Sequence, residues 1–427
     1  MTDEISYYKT DAVIVFVAQA LAAVGALVGI RLLTQFVSPE IFGEYKLILS
    51  SISLVVGVCV RPFIQFAMRQ YHEYLSKIEQ NSFLIEIRKL FNKYLYLLLF
   101  FVGVFYLLGF SNLYNEKIVI LCGLIVLLIT VKINFESALF ISKNEQFAAG
   151  LILVSLKWLI PVSIILMVLV FRESPFSLMA GTLIGYLTIW ILILACANSE
   201  PDDYEKPNII KSELIARGFE YGWPIAIFGI LSWILNESDR FFLLNYHDSK
   251  EVGLYSAAYG LVSAPFVLAA GAVGQFLFPI FFKTNRDKDR TKRLVTKSLL
   301  LNTLLVICGV LLIYIFADLI AFIGLEISYR ESASGLFVWI AVGYGFFAMS
   351  SSFDLAAYTH KKTVDITIAY LIASACNIGL NILLIPQHAS EGAAIATMLS
   401  LATYFFCMAA IYYYRQFFRH RLRDAYK

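Results

Sequence analysis

Apolar stretches of about 20 residues, the length a helix needs to cross the hydrocarbon of a bilayer, recur along this entire chain. They fall near 12–33, 45–68, 94–115, 117–142, 148–171, 176–197, 222–245, 253–282, 298–323, 334–357, 363–385 and 390–414. Twelve such runs predict an all-α integral membrane protein, and their even number places both termini on one side. The hydrophilic stretch Ser199–Glu220 (SEPDDYEKPNIIKSELIARGFE) separates six runs from six. Its acidic and proline content reads as a linker, followed by an interfacial amphipathic helix ending at Arg217. The predicted organisation is a six-helix lobe over 1–198, a cytoplasmic linker over 199–221, a second six-helix lobe over 222–414, and a basic tail over 415–427.

The two halves echo each other. RLLTQFVSPEIFGEY (Arg31–Tyr45) follows the first run and RFFLLNYHDSKEVGLY (Arg240–Tyr255) follows the seventh, displaced by about 210 positions. FESALFISKNEQ (Phe135–Gln146) and FDLAAYTHKKTV (Phe353–Val364) repeat the relation at about 218. Repeats of six spans share one membrane orientation, so a pseudo-two-fold axis along the membrane normal is expected to relate them, with a substrate site between the repeats.

Composition agrees with the pattern: 59% of residues are hydrophobic and 15% charged, with a mean hydropathy of +0.74, against about 25% charged in soluble domains. The polar start Met1–Asp11 lacks the layout of a cleavable signal, so the first run is expected to be retained as a span. Cys59, Cys122, Cys196, Cys308, Cys376 and Cys407 all lie in apolar runs without a CxxC pair, and no HExxH spacing occurs. Buried free thiols are expected, and no metal, cofactor or nucleic-acid partner. Most of the 34 Lys and Arg fall on alternate segments, including Lys283–Arg293 and Arg415–Lys427. The other segments hold only Arg31, Lys46, Lys117, Arg172, Arg240, Lys250 and Arg330. The positive-inside rule then predicts cytoplasmic N- and C-termini in a multi-pass membrane protein whose loops meet membrane lipids.

Three cations lie inside otherwise apolar runs: Arg61, Lys132 and Lys157. A charge at membrane depth is costly and normally faces a bundle interior or a wet cavity. On the second run Ser53, Gly57, Arg61, Gln65 and Arg69 recur at i,i+4, which predicts one polar stripe, with Pro62 loosening the helix beside it. Lys132 and Glu136 are one turn apart and either neutralise each other or leave Glu136 as a site for ion coupling. Lys157 has no charged neighbour from Phe147 to Phe171 and is the strongest cavity candidate. Arg31, Asp239 and Arg240 stand at outer helix ends, as an outer gate or in a structural, snorkelling role. Asp354 is expected at a span end near headgroups or loops, and Asn377 and Asn381 at a helix–helix contact. A first half richer in buried positive charge than the second points to an anionic cargo carrying phosphate, diphosphate or uronate.

Over nearly its whole length the chain resembles the polysaccharide-type (Wzx-like) flippases of the multidrug/oligosaccharidyl-lipid/polysaccharide exporter superfamily. The resemblance rests on RLLTQFVSPEIFGEY, WPIAIFGILSWILNESDRFFL, EVGLYSAAYGLVSAP and above all NIGLNILLIPQHASEGAAIATMLS. It implies a V-shaped pair of six-helix lobes and alternating access. It also implies a polyprenyl-diphosphate-linked oligosaccharide as cargo, for O-antigen or another surface polysaccharide, with a polysaccharide polymerase and a chain-length regulator as partners. Assigning cargo contact to Arg61, Lys132 and Lys157 follows from their depth, not from a family motif. Two rivals stand beside this reading. A cation-coupled multidrug exporter calls for an anionic pocket, yet Ala12–Leu33 contains no Asp or Glu. A membrane glycosyltransferase or polymerase calls for a sizeable outer catalytic loop, and the loops between runs are short. A lipid II flippase is disfavoured by the count of twelve, so a non-enzymatic transporter is expected.

Overall fold

With no water in hydrocarbon, each backbone N–H and C=O must find its partner within the chain, and the described residues answer with helices throughout. The computed structural model describes residues 2–74, 76–107, 117–196, 211–282 and 288–425. Among the described residues thirteen α-helices run in order: α1 Thr2–Phe36, α2 Pro39–Val55, α3 Arg61–Tyr71, α4 Lys77–Leu107, α5 Lys117–Ser142, α6 Gln146–Phe171 and α7 Pro175–Cys196. They continue with α8 Lys211–Glu237, α9 Asp239–Tyr246, α10 Ser249–Phe282, α11 Lys288–Gly324, α12 Ile327–Thr359 and α13 Thr363–Ala425. A π-helical turn, Val56–Val60, joins α2 to α3.

Among the described residues, ten helical stretches are long and apolar enough to cross a membrane. One of them, Thr363–Gln416, contains two predicted spans, joined where Ala389 takes φ 45°. Helix α4 carries the described part of the 94–115 span. The twelve-span, all-α architecture therefore stands. Most of the predicted linker, 197–210, lies outside the described residues, as do 283–287 of the charged loop. The interfacial helix expected up to Arg217 is the beginning of α8.

The chain divides into two units, residues 1–37 with 48–230 and residues 38–47 with 231–427. The division falls inside α8 at Ile230, and the start of α2 belongs with the second unit. In the first unit α6 packs on α1 and α7, and α5 on α7. Small residues permit this closeness: the Trp158 indole lies over Gly25 and donates Nε1–H to the Leu21 carbonyl at 3.0 Å. One apolar cluster unites Phe66, Phe83, Ile87, Phe91, Leu127 and Phe135, with the Phe91 and Phe135 rings stacked at 4.0 Å. In the second unit α12 packs on α10, α11 and α13.

The second unit also explains the sequence echo. A Cβ added at Gly43 would overlap the Ser249 carbonyl and come within 2.9 Å of Gly253 N. One added at Gly253 would overlap the Pro39 carbonyl and come within 3.1 Å of Gly43 N. The contact is reciprocal, as two-fold-related segments require: each glycine receives the residue four positions before the other. Tyr45 and Tyr255, two positions after each glycine, are both buried.

Because the obstruction at Gly253 is backbone, Gly253→Leu is expected to cost about 1–3 kcal/mol or more and to lower the thermal midpoint of the detergent-purified protein. Gly379→Ala, where nothing lies within 4 Å, is expected to leave the midpoint unchanged or slightly raised.

Candidate functional site

The first candidate cation owes its position to a backbone irregularity. Pro62 has no N–H to donate and its ring crowds the preceding turn. The helix widens just before it, so that Arg61 N–H reaches back five residues to the Val56 carbonyl. The Tyr94 hydroxyl donates to the Cys59 carbonyl at 3.0 Å and holds this turn from α4. The extra residue interrupts the predicted stripe. Arg61, Gln65 and Arg69 are exposed on one face of α3, whereas Ser53 and Gly57 are half-buried. Gly57 instead meets α8, where a Cβ on Gly229 would come within 2.5 Å of its carbonyl oxygen. Arg69 is not free: it lies 3.6 Å from Glu73 and 5.0 Å above the Tyr221 ring. For the Arg61 guanidinium no hydrogen bond or ion pair is found among the described residues.

Helix α5 resolves the alternative left open at Lys132 and Glu136. Glu136 pairs with Arg88 of α4 through two hydrogen bonds, Nε to Oε1 at 3.1 Å and Nη2 to Oε2 at 2.8 Å. The expected Lys132–Glu136 ion pair is therefore not formed, because a bidentate guanidinium outcompetes a lysine one turn away. The Lys132 ammonium lies 5.6 Å from the centre of the Trp190 ring of α7, a cation–π contact that leaves its charge intact. Lys157 on α6 is exposed and makes no ion pair among the described residues.

Counted along their helices, Arg61 and Lys132 lie ten residues before the helix ends at Tyr71 and Ser142, and Lys157 eleven after the start of α6 at Gln146, about 15 Å of helix in each case. No hydrogen bond or ion pair joins the three to one another.

The second unit treats its charges in the opposite way. Arg240, expected at a helix end, is buried at 5% exposure with Asp239 at 1% beside it. Arg240 pairs with Glu237, donates Nη1–H to the Asn236 carbonyl at 3.1 Å and Nε–H to Ser256 Oγ at 3.1 Å, and lies over the Tyr259 ring. Asp239 accepts hydrogen bonds from the Tyr255 and Thr397 hydroxyls and the Arg240 amide. The Tyr259 and Tyr344 hydroxyls meet each other and Asn236 Oδ1. Snorkelling is absent here because the break between α8 and α9 turns both charges inward. Arg31 is half-buried on α1, where its carbonyl accepts from Thr34 Oγ1 at 3.1 Å.

Other expectations shift as well. The Asp354 carboxylate accepts a hydrogen bond from the Tyr404 hydroxyl at 2.7 Å instead of facing headgroups. Asn381 donates to Asn377 Oδ1 at 3.1 Å, and Ser238 donates to the same oxygen at 3.2 Å, so the contact between helices runs through Ser238. Arg88 and Trp190 were missed because their partners are distant in sequence. The five consecutive polar residues Asn236–Arg240 were the available signal for the helix break.

The helices define a class, a multi-pass membrane protein whose fold matches those of solved flippase and transporter structures. The lipid II flippase MurJ in an inward closed conformation matches at a TM-score of 0.70 and 16% identity, over 93% of this chain and 86% of that one. An inward-facing multidrug resistance MATE transporter of the MOP superfamily matches at 0.67 and 13%, over 91% and 92%. A Vibrio cholerae MATE transporter, VcmN, matches at 0.64 and 12%, over 96% and 98%. More particularly, the family described as "Polysaccharide biosynthesis protein" matches residues 9–285, and the chain belongs to it. No curated protein sequence matches the chain.

Removing the Tyr255 hydroxyl takes a buried donor from Asp239. Tyr255→Phe is expected to cost about 1–3 kcal/mol, read as a lower thermal midpoint, while Tyr413→Phe, at a residue 50% exposed, leaves the midpoint in place.

Proposed function

We propose that this protein is a flippase that carries polyprenyl-diphosphate-linked oligosaccharide units from the cytoplasmic to the outer leaflet of the bacterial inner membrane. Membership of the polysaccharide biosynthesis family supports the cargo class. The observation that carries the reading is the set of three cations well inside apolar helices, none neutralised by a carboxylate among the described residues. A lone ammonium or guanidinium facing lipid there would cost several kcal/mol. A polar pathway that admits an anionic group removes this cost.

In this mechanism Arg61, Lys132 and Lys157 replace water around the diphosphate, the glycan travels through the polar pathway, and the polyprenyl tail stays in the bilayer. The cargo site opens to one leaflet and then the other. The bias of Lys and Arg towards alternate loops supports cytoplasmic termini. A polysaccharide polymerase and a chain-length regulator are the partners that would consume the flipped units for O-antigen or another surface polysaccharide. The outer-end residues Arg31, Asp239 and Arg240 enter as scaffold, since Asp239 and Arg240 are enclosed.

Vesicles reconstituted with the protein and a polyprenyl-diphosphate oligosaccharide test the reading. Lys157→Ala and Arg61→Ala are each expected to slow flipping by about tenfold or more, matching loss of a charged hydrogen bond of roughly 1.5–3 kcal/mol. Lys157→Arg is expected to retain most activity. Unchanged flipping in both alanine variants would overturn the role of these cations.

A further inference from the structure

We infer that Arg88 and Trp190 are positioning residues that keep Lys132 charged and unpaired, Arg88 by sequestering Glu136 and Trp190 by holding the ammonium on its ring. The inference rests on the proposed contact between Lys132 and an anionic diphosphate.

Lys132 and Glu136 stand at i and i+4 on α5, where an intrahelical ion pair is the default. A lysine paired in this way has no net charge to offer. Three features of the first unit prevent the pairing. The first is order: Lys precedes Glu along the helix, the weaker orientation of such a pair. The second is Arg88, whose two hydrogen bonds at 3.1 and 2.8 Å occupy both Glu136 oxygens. The Glu136 side chain is 16% exposed and that of Arg88 27%, so water screens their attraction only partly. The third is Trp190, 5.6 Å from Lys132 Nζ. Its ring draws the ammonium towards α7 and, unlike a carboxylate, cancels no charge.

The packing of α5 places these partners on different helices. Leu127, Val131, Phe135 and Leu139 form a row in the cluster shared with Phe91 and Ile87 of α4. Ile129 and Ile133 belong to a second cluster, with Ile189 and Ile193 of α7 and with Trp190 packed against it. Glu136, next to Phe135, reaches α4; the longer Lys132 side chain reaches α7. The helix thereby separates a carboxylate from an ammonium that its own periodicity would join.

Removing Arg88 should let Glu136 capture Lys132, and removing Glu136 as well should release it again. The test is the affinity of the full chain in lipid nanodiscs for farnesyl diphosphate, a short polyprenyl diphosphate. Arg88→Gln is expected to weaken binding about tenfold and Lys132→Gln by a similar factor. The double variant Arg88→Gln/Glu136→Gln is expected to return to within about threefold of wild type. Trp190→Leu is expected to weaken binding and Trp190→Phe to preserve most of it. A purely structural role for Arg88 predicts no rescue by the second substitution. If Lys132→Gln binds weakly while the double variant stays as weak as Arg88→Gln, or Arg88→Gln binds like wild type, the positioning role is overturned and the cation's role survives. If Lys132→Gln itself binds like wild type, the contact between Lys132 and the diphosphate is overturned, and the positioning role with it.

Discussion

In hydrocarbon a charge has to be met by an opposite charge, by hydrogen-bonding groups, by π electrons or by admitted water. The two units of this chain meet that demand differently. In the second, Arg240 is enclosed by Glu237, Ser256, the Asn236 carbonyl and the Tyr259 ring, and Asp239 by two hydroxyls and an amide. Such a network rigidifies when every member is satisfied. In the first unit Glu136 is answered by Arg88. Arg61 and Lys157 have no counter-charge among the described residues and Lys132 has only a ring. One unit thus keeps its charges for itself, and the other holds them out for something else.

Irregular helices make this division feasible. The break between α8 and α9 turns Asp239 and Arg240 into the second unit's interior, and the π-turn at Val56–Val60 presents Arg61 at the head of an exposed polar face. Each irregularity has a local cause: a run of five polar residues in the first case, Pro62 in the second. Both helices also approach a neighbour through glycine, Gly57 against Gly229 and Gly43 against Gly253. Close backbone contact between membrane helices depends on such residues, because lipid supplies no hydrophobic drive for larger side chains to meet.

The twelve spans were legible because a hydrophobic run of span length carries its own signal, and the internal echo was legible because Gly43 and Gly253 occupy equivalent places in one contact. Position along a helix was legible too: Lys157 falls near the middle of α6. Partners were not. The i,i+4 rule sees along one helix, so it offered Lys132 to Glu136 and could not see Arg88, 48 positions away. Headgroup contact was assigned to Asp354 from its nearness to a span end, while Tyr404, 50 positions on, bonds it.

The π-turn also fixes a phase. One added residue rotates everything beyond it by about 100° relative to an uninterrupted helix. Arg61, Gln65 and Arg69 therefore point where they do because of a count of residues upstream, independently of their own chemistry. A chain one residue shorter between Val56 and Val60 would keep every polar side chain and aim them elsewhere. The first unit's charge pattern is in this sense written in the length of the helix as much as in its composition.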